Sequence, residues 1–289
     1  MRPEIEQAIA LLQREDSQSL EEALALLQST VFSFSMRVCG QREDAEDTTQ
    51  EVLFKSLPYL PRFESPKALV VWLYKVAKNR CLMSRRKSKF APQRELSLEE
   101  LMPDRQELEQ LAEGNRINPE SFAIRSEEAR SLRAAIQKLP PQYRIVLVLR
   151  DMEGLTDQEV AEITGLRAGT VRVRLHRARL FVRKELMKLA QPRRAVREVK
   201  ATAQPRPARC KAMFAELSDY LDEKLDDSLC EELEKHLDGC EPCKAFLSSL
   251  EVTIEQCRKV PSECPDPKKA AKLRQHLLSS YERALKVRA

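Results

Sequence analysis

The stretch "GLTDQEVAEITGLRAGTVRVRLHRARLFVRK", Gly154 to Lys184, limits the fold more than any other part of the chain. Thr156 can cap a helix, and Glu159, three residues on, completes a capping box. Val160, Ala161 and Ile163 give that helix an apolar side, and Gly165 suits the left-handed turn that ends it. A second helix starts near Ala168, where Val171, Leu175, Ala178 and Val182 recur at helical spacing. No acid occurs from Arg167 through Lys184, and Arg172, Arg174, His176, Arg177, Arg179 and Arg183 fill the remaining faces. A capped helix, a glycine turn and a basic second helix make a helix-turn-helix pattern. Entering the major groove by its N-terminal end, the second helix directs Arg172, Val173 and His176 to base edges, with Thr170, Arg174 and Arg177 beside them. The outer arginines then reach phosphates. A solvated basic helix in an ordinary bundle is the plain alternative; the capped helix and turn ahead of it weigh towards DNA.

The rest of the chain has the same helical period, and almost none of it alternates like a strand. Six glycines in 289 residues, with 33% charged and 42% hydrophobic residues, suit several modest helical cores. An all-α chain of three domains follows: 1–95, an acidic linker 96–125, 126–190, a basic Pro-rich linker 191–208, and 209–289. Between Glu95 and Glu120 stand eight acids against Arg105 and Arg116, whereas "QPRRAVREVKATAQPRPAR" carries six Arg or Lys. The net charge of +5 therefore averages opposed segments. No window is apolar for eighteen residues, and the first residues, "MRPEIEQAIALLQRED", place acids inside a short apolar run. A cytoplasmic protein with no membrane partner is expected, its eight Cys reduced thiols or metal ligands rather than a disulfide framework. No phosphate loop and no nucleophile–base pairing stands out, so an enzyme is not expected.

"HLDGCEPC" sets His236, Cys240 and Cys243 within one turn, with Gly239 ending one helix and Pro242 opening the next. A closed zinc site wants a fourth ligand. Cys210 is the first choice and Cys230 the alternative. Cys230, Cys257 and Cys264 are otherwise extra; each reads equally as part of a second metal or redox site or as a buried, inert thiol. His276 stands alone and reads as a surface or core histidine. From Glu216 to Glu241 there are eleven acids against Lys224 and Lys235, a charge opposite to that of the Arg167–Lys184 run, which points to docking within the chain.

"QREDAEDTTQEVLFKSLPYLPRFESPKALVVWLYKVAKNRCLMSRRK" resembles the promoter-melting region of bacterial sigma factors of the sigma-70 family, in their small extracytoplasmic-function group. "LPPQYRIVLVLRDMEGLTDQEVAEITGLRAGTVRVRLHRAR" is similar to that group's second domain, which reads the −35 promoter element. The tail "CKAMFAELSDYLDEKLDDSLCEELEKHLDGCEPCKAFL" resembles the zinc-binding anti-sigma domain, and Cys210 fits the upstream ligand of that family.

The resemblance implies that Asp47, Gln50, Glu51 and Phe54 dock on the clamp helices of the polymerase β′ subunit. It implies that Asn79 stands next to the pocket for a flipped base of the −10 element. Arg80, Arg85, Arg86, Lys87 and Lys89 then follow the strand backbone. Trp72 reads either as a melting aromatic or, more simply, as a core residue. Met83 stands where the family usually has Asp, and Val173 where it often has a small polar residue. In related factors the acidic linker threads the polymerase RNA channel. The expected function is a sigma factor that guides core polymerase to promoter DNA, regulated in cis by a zinc-binding tail, with another soft metal or an oxidant as signal. A stand-alone helix-turn-helix regulator and a metal-binding interaction protein are the rivals.

Overall fold

The computed structural model describes residues 3–14, 16–63, 65–85, 95–103, 107–108, 126–190 and 208–286. Its helices are α1 (Pro3–Leu12), α2 (Ser17–Cys39), α3 (Arg42–Ser56), α4 (Pro66–Arg85), α5 (Leu98–Leu101), α6 (Ser126–Lys138), α7 (Pro141–Leu147), α8 (Asp157–Thr164), α9 (Ala168–Ala190), α10 (Ala208–Leu221), α11 (Asp227–Asp238), α12 (Glu241–Lys259) and α13 (Pro267–Lys286). A short π-helical stretch, Val148–Met152, prolongs α7. Among the described residues there is no strand. Arg86, Lys87, Lys89, the middle of the acidic linker and residues 191–207 lie outside the described residues.

The chain divides into two compact units. The first takes residues 1–93, 144–168 and 261–289. Its centre is α2, which starts because Asp16 accepts from the Ser19 amide at 2.7 Å. It ends where Gly40 turns left-handed at φ 78°. Ala23, Leu24, Leu27, Val31 and Phe34 line one buried face of it, at helical intervals. Phe34 stacks on Tyr74 of α4 with ring centroids 4.3 Å apart. Tyr74 donates to Glu153 Oε2 at 2.6 Å, and Glu153 also takes Arg37 at 2.7 Å. Arg144 donates to the Val38 carbonyl, so residues 144–168 are fastened to the α2–α4 bundle.

One expectation fails in this unit. The eight cysteines are not all reduced thiols or metal ligands, because Cys39 and Cys81 are joined in a disulfide. Forty-two residues separate them in sequence, but side-by-side packing of α2 and α4 brings their Cα atoms to 5.3 Å.

The second unit takes residues 94–143 and 169–260. Its core joins Val171, Leu175, Ala178 and Val182 of α9 with Phe214 and Leu217 of α10 and Phe246 and Leu250 of α12. Phe214 and Phe246 meet edge to face at 4.8 Å. The spacing read for α9 in the sequence thus marks its buried side.

Candidate functional site

Cys210, His236, Cys240 and Cys243 converge, with one ligand atom from each lying within 4.8 Å of all the others. Cys210 lies in the first turn of α10 and His236 in the last turn of α11. Cys240 caps α12 and Cys243 sits in its first turn, which Pro242 helps to start. His236 Nε2 is 3.2 Å from Cys243 Sγ. Four ligands on one tetrahedral ion would lie roughly 3.3–3.8 Å apart, so small shifts fit a metal here. Burial, and then the neighbouring thiols, push Cys243 above its ordinary range, and burial also raises Cys210. Three thiols this close cannot all ionise without a cation among them, which is what the donor set supplies for. Of the two choices left by the sequence, Cys210 joins the cluster and Cys230 does not.

The basic face of α9 meets α10 and α12 of the same unit. Arg179 forms a two-pronged pair with Asp222 at 3.0 Å on each arm, and its side chain has no exposed surface. Arg183 donates to Ser249 Oγ at 2.6 Å and lies 3.8 Å above the Phe246 ring. His176 Nδ1 is 2.7 Å from the Ser218 hydroxyl, and its buried Nε2 has no hydrogen-bond partner among the described residues. Burial, then the Arg179 charge, pushes the His176 ring down to about 4. Arg172 approaches Asp219 at 3.8 Å. Thr170 and Val173 are exposed, and Arg172, Arg174 and Arg177 are half-buried. Arg179 and Arg183, outer residues by the sequence pattern, are both sealed against the tail. Their partners lie 43 and 66 residues away, beyond the reach of any local pattern.

The candidate docking residues gather on α3. Asp47 and Gln50 are exposed, while Glu51 and Phe54 are half-buried. Glu51 pairs with Lys55 and with Arg80 of α4, both at 2.7 Å, so one candidate polymerase contact and one candidate DNA contact hold each other. Asn79 is exposed, and Arg85 closes α4. Trp72 is half-buried between Tyr59 and Phe63. Across α2 and α3 lies α13. Gln28 donates to the Ala270 carbonyl and accepts from Arg274, and Lys269 pairs with Glu46 at 2.6 Å. His276 is an exposed histidine, as one of its two readings had it, and meets the Phe54 ring edge-on at 5.3 Å. A cleft of about 360 Å³ remains there, lined by Asp47, Gln50, Glu46, Lys269, Leu273 and His276.

Three stretches of the chain match known protein families. Residues 24–90 match the family "Sigma-70 region 2", residues 129–182 match "Sigma-70, region 4", and residues 210–244 match "Putative zinc-finger". The sigma factor SigW of Bacillus subtilis is 26% identical over 64% of this chain and 98% of its own. SigE of Mycolicibacterium smegmatis is 32% identical over 55% of this chain and 58% of its own. The sigma-E factor of Escherichia coli K12 is 30% identical over 47% of this chain and 70% of its own. The chain belongs to the extracytoplasmic-function sigma factors, and it carries behind its two sigma regions a Cys/His cluster of metal-binding type. That membership makes it a transcription initiation factor, a partner of RNA polymerase.

Proposed function

We propose that this sigma factor is held inactive by its own tail, and that the tail lets go when its metal site is disturbed. The observation that carries the reading is the burial of Arg179 and Arg183 against Asp222, Ser249 and Phe246. Those cations lie on the −35 helix, and while buried they are not available to phosphates. On the other sigma region, α13 rests against α3, beside Asp47, Gln50 and Phe54, the residues read as the β′ clamp contact. One tail therefore opposes both polymerase docking and promoter binding in the cytoplasm, where core polymerase works. Tethering raises the tail's local concentration to roughly millimolar, so a modest interface suffices.

Cys210, His236, Cys240 and Cys243 are the residues that would hold zinc. When bound, the ion ties three helices at one point and so contributes directly to the folding of the tail. The same helices carry the contacts to α9. Cys210, Phe214 and Ser218 follow one another at intervals of four along α10, on one side of it. Cys243, Phe246 and Ser249 follow at intervals of three along α12. A change at the ligand end shifts the residues that grip His176, Arg179 and Arg183. Oxidation of a ligand thiolate, or a soft metal of different preferred geometry, is the signal expected of this donor set.

The test measures zinc content and promoter-specific transcription with core polymerase. It compares the full chain, Cys240→Ser and a form ending near Leu189. The full chain should hold one zinc ion and transcribe least. Equal transcription from all three forms, across metals and redox states, would overturn the regulatory reading. Absence of stoichiometric zinc in the reduced full chain would overturn the site.

A further inference from the structure

Two cysteines stand apart from the metal centre. Cys39 closes α2, Cys81 lies in α4, and each is only 1% exposed. Thr48 of α3 completes the cluster, with its hydroxyl 3.8 Å from one sulfur and 3.9 Å from the other. Three helices of sigma region 2 therefore meet at this one bond. The other six cysteines are free thiols, three of them in the metal cluster.

The helices that the bond joins also share an apolar core around Leu27, Phe34, Leu53, Leu73 and Tyr74. Its position is more telling. Asn79 and Arg80, the candidate −10 contacts, lie within two residues of Cys81 on α4. Gly40, which turns the chain into the polymerase-docking helix, directly follows Cys39. A disulfide in a protein that works beside polymerase has the character of a reversible redox site.

We propose that Cys39 and Cys81 form a second redox centre, independent of the metal site, which locks the promoter-facing helix α4 to the end of α2 under oxidation. The structure holds the oxidised form. Its formation removes two electrons and two protons from the two thiols, with hydrogen peroxide as oxidant. One S–S bond forms, the O–O bond breaks, and two waters leave. A dithiol reductant returns both protons and electrons and is itself oxidised to a disulfide. Access is through the last turn of α2, which is bounded by a glycine and opens more readily than the helix centre.

The full chain, zinc-loaded, is treated with graded hydrogen peroxide or with dithiothreitol, quenched with acid, and alkylated in denaturant. Mass spectrometry should find a linked peptide pair containing Cys39 and Cys81 at peroxide doses that leave zinc content unchanged. Dithiothreitol should return both as alkylated thiols. Amide exchange at residues 78–81 should slow about tenfold or more in the oxidised form. Cys39→Ala and Cys81→Ala, each tested alone, should both abolish that difference. Two alkylated thiols after oxidation, or a redox difference in α4 that persists in either variant, would overturn the proposal. None of these readouts depends on tail docking or transcription, so this centre and the cis-inhibition reading fail separately.

Discussion

On α9 the tail holds arginines almost sealed from solvent, whereas on α3 it rests beside acids and amides that stay wet. Arg179 and Asp222 have side-chain exposures of 0% and 3%. Lys269 and Glu46, the corresponding ion pair at α3, have 67% and 18%. A buried charge depends strongly on its partner, because without it the desolvation cost is left uncompensated. An exposed pair is already solvated and loses little when broken. The ion pairs that hold the two sigma regions thus differ in kind: a charge pair sealed from solvent at one, and an exposed pair beside an open cleft at the other.

The largest effect expected is from Asp222→Ala. It leaves Arg179 buried without its carboxylate, a loss of about 3–5 kcal/mol from the docked arrangement. Promoter DNA binding by the full chain, measured by fluorescence anisotropy, should rise steeply towards that of the form ending near Leu189. If Asp222→Ala binds DNA as weakly as the parent, the comparison between the two surfaces is wrong.

A smaller effect follows from His176. The groups that act on it are Arg179 and Arg177 of α9 and the Phe214 backbone of α10, with Ser218 at its Nδ1. Docking lowers its pKa from an ordinary 6.5 to about 4. The docked form therefore keeps its full stability above pH 6.5, where the ring is neutral in both forms. It loses stability as pH falls from 6.5 towards 4, because only the undocked ring takes up the proton. At pH 5.5 docking should be about tenfold weaker than at pH 7.5. DNA binding by the full chain, divided by that of the shortened form at each pH, reads this directly. His176→Gln should flatten the ratio, and a ratio already flat in the parent would contradict the buried, neutral imidazole.

The smallest effect belongs to Lys269→Ala, which removes only the exposed pair with Glu46. Core polymerase affinity of the full chain should change by less than about fivefold. A larger change would mean that the cleft at α3 holds the tail as firmly as the buried latch does, and would erase the contrast.

Local grammar was readable in the sequence and long-range pairing was not. Thr156 and Glu159 exchange the expected cap bonds at 3.3 and 2.7 Å, and Gly165 turns left-handed at φ 76°. These depend on residues three to nine apart. Three of the four ligands fall in "HLDGCEPC", and the fourth was left between Cys210, which fits the family resemblance, and Cys230. The Arg167–Lys184 run read as a DNA surface with outer arginines. An acid-free helix looks the same in sequence whether water or a distant carboxylate faces it. The Cys39–Cys81 bond escaped for a similar reason, since nothing near either cysteine records that α2 and α4 pack side by side. The Glu51–Arg80 pair joins two residues given separate roles, because each role came from its own stretch of chain.

The interval from Cys210 through Phe214 to Ser218 has a consequence for how such a tail can change over generations. Each added residue in a helix turns everything beyond it by about 100°. One residue inserted between Cys210 and Ser218 would leave every ligand and every gripping side chain in place by identity, yet swing Ser218 and Asp222 away from His176 and Arg179. An insertion of seven would nearly restore the phase. Sensing and silencing are thus joined by angle as much as by residue type, and small insertions or deletions in α10 can uncouple them without altering a single residue of either.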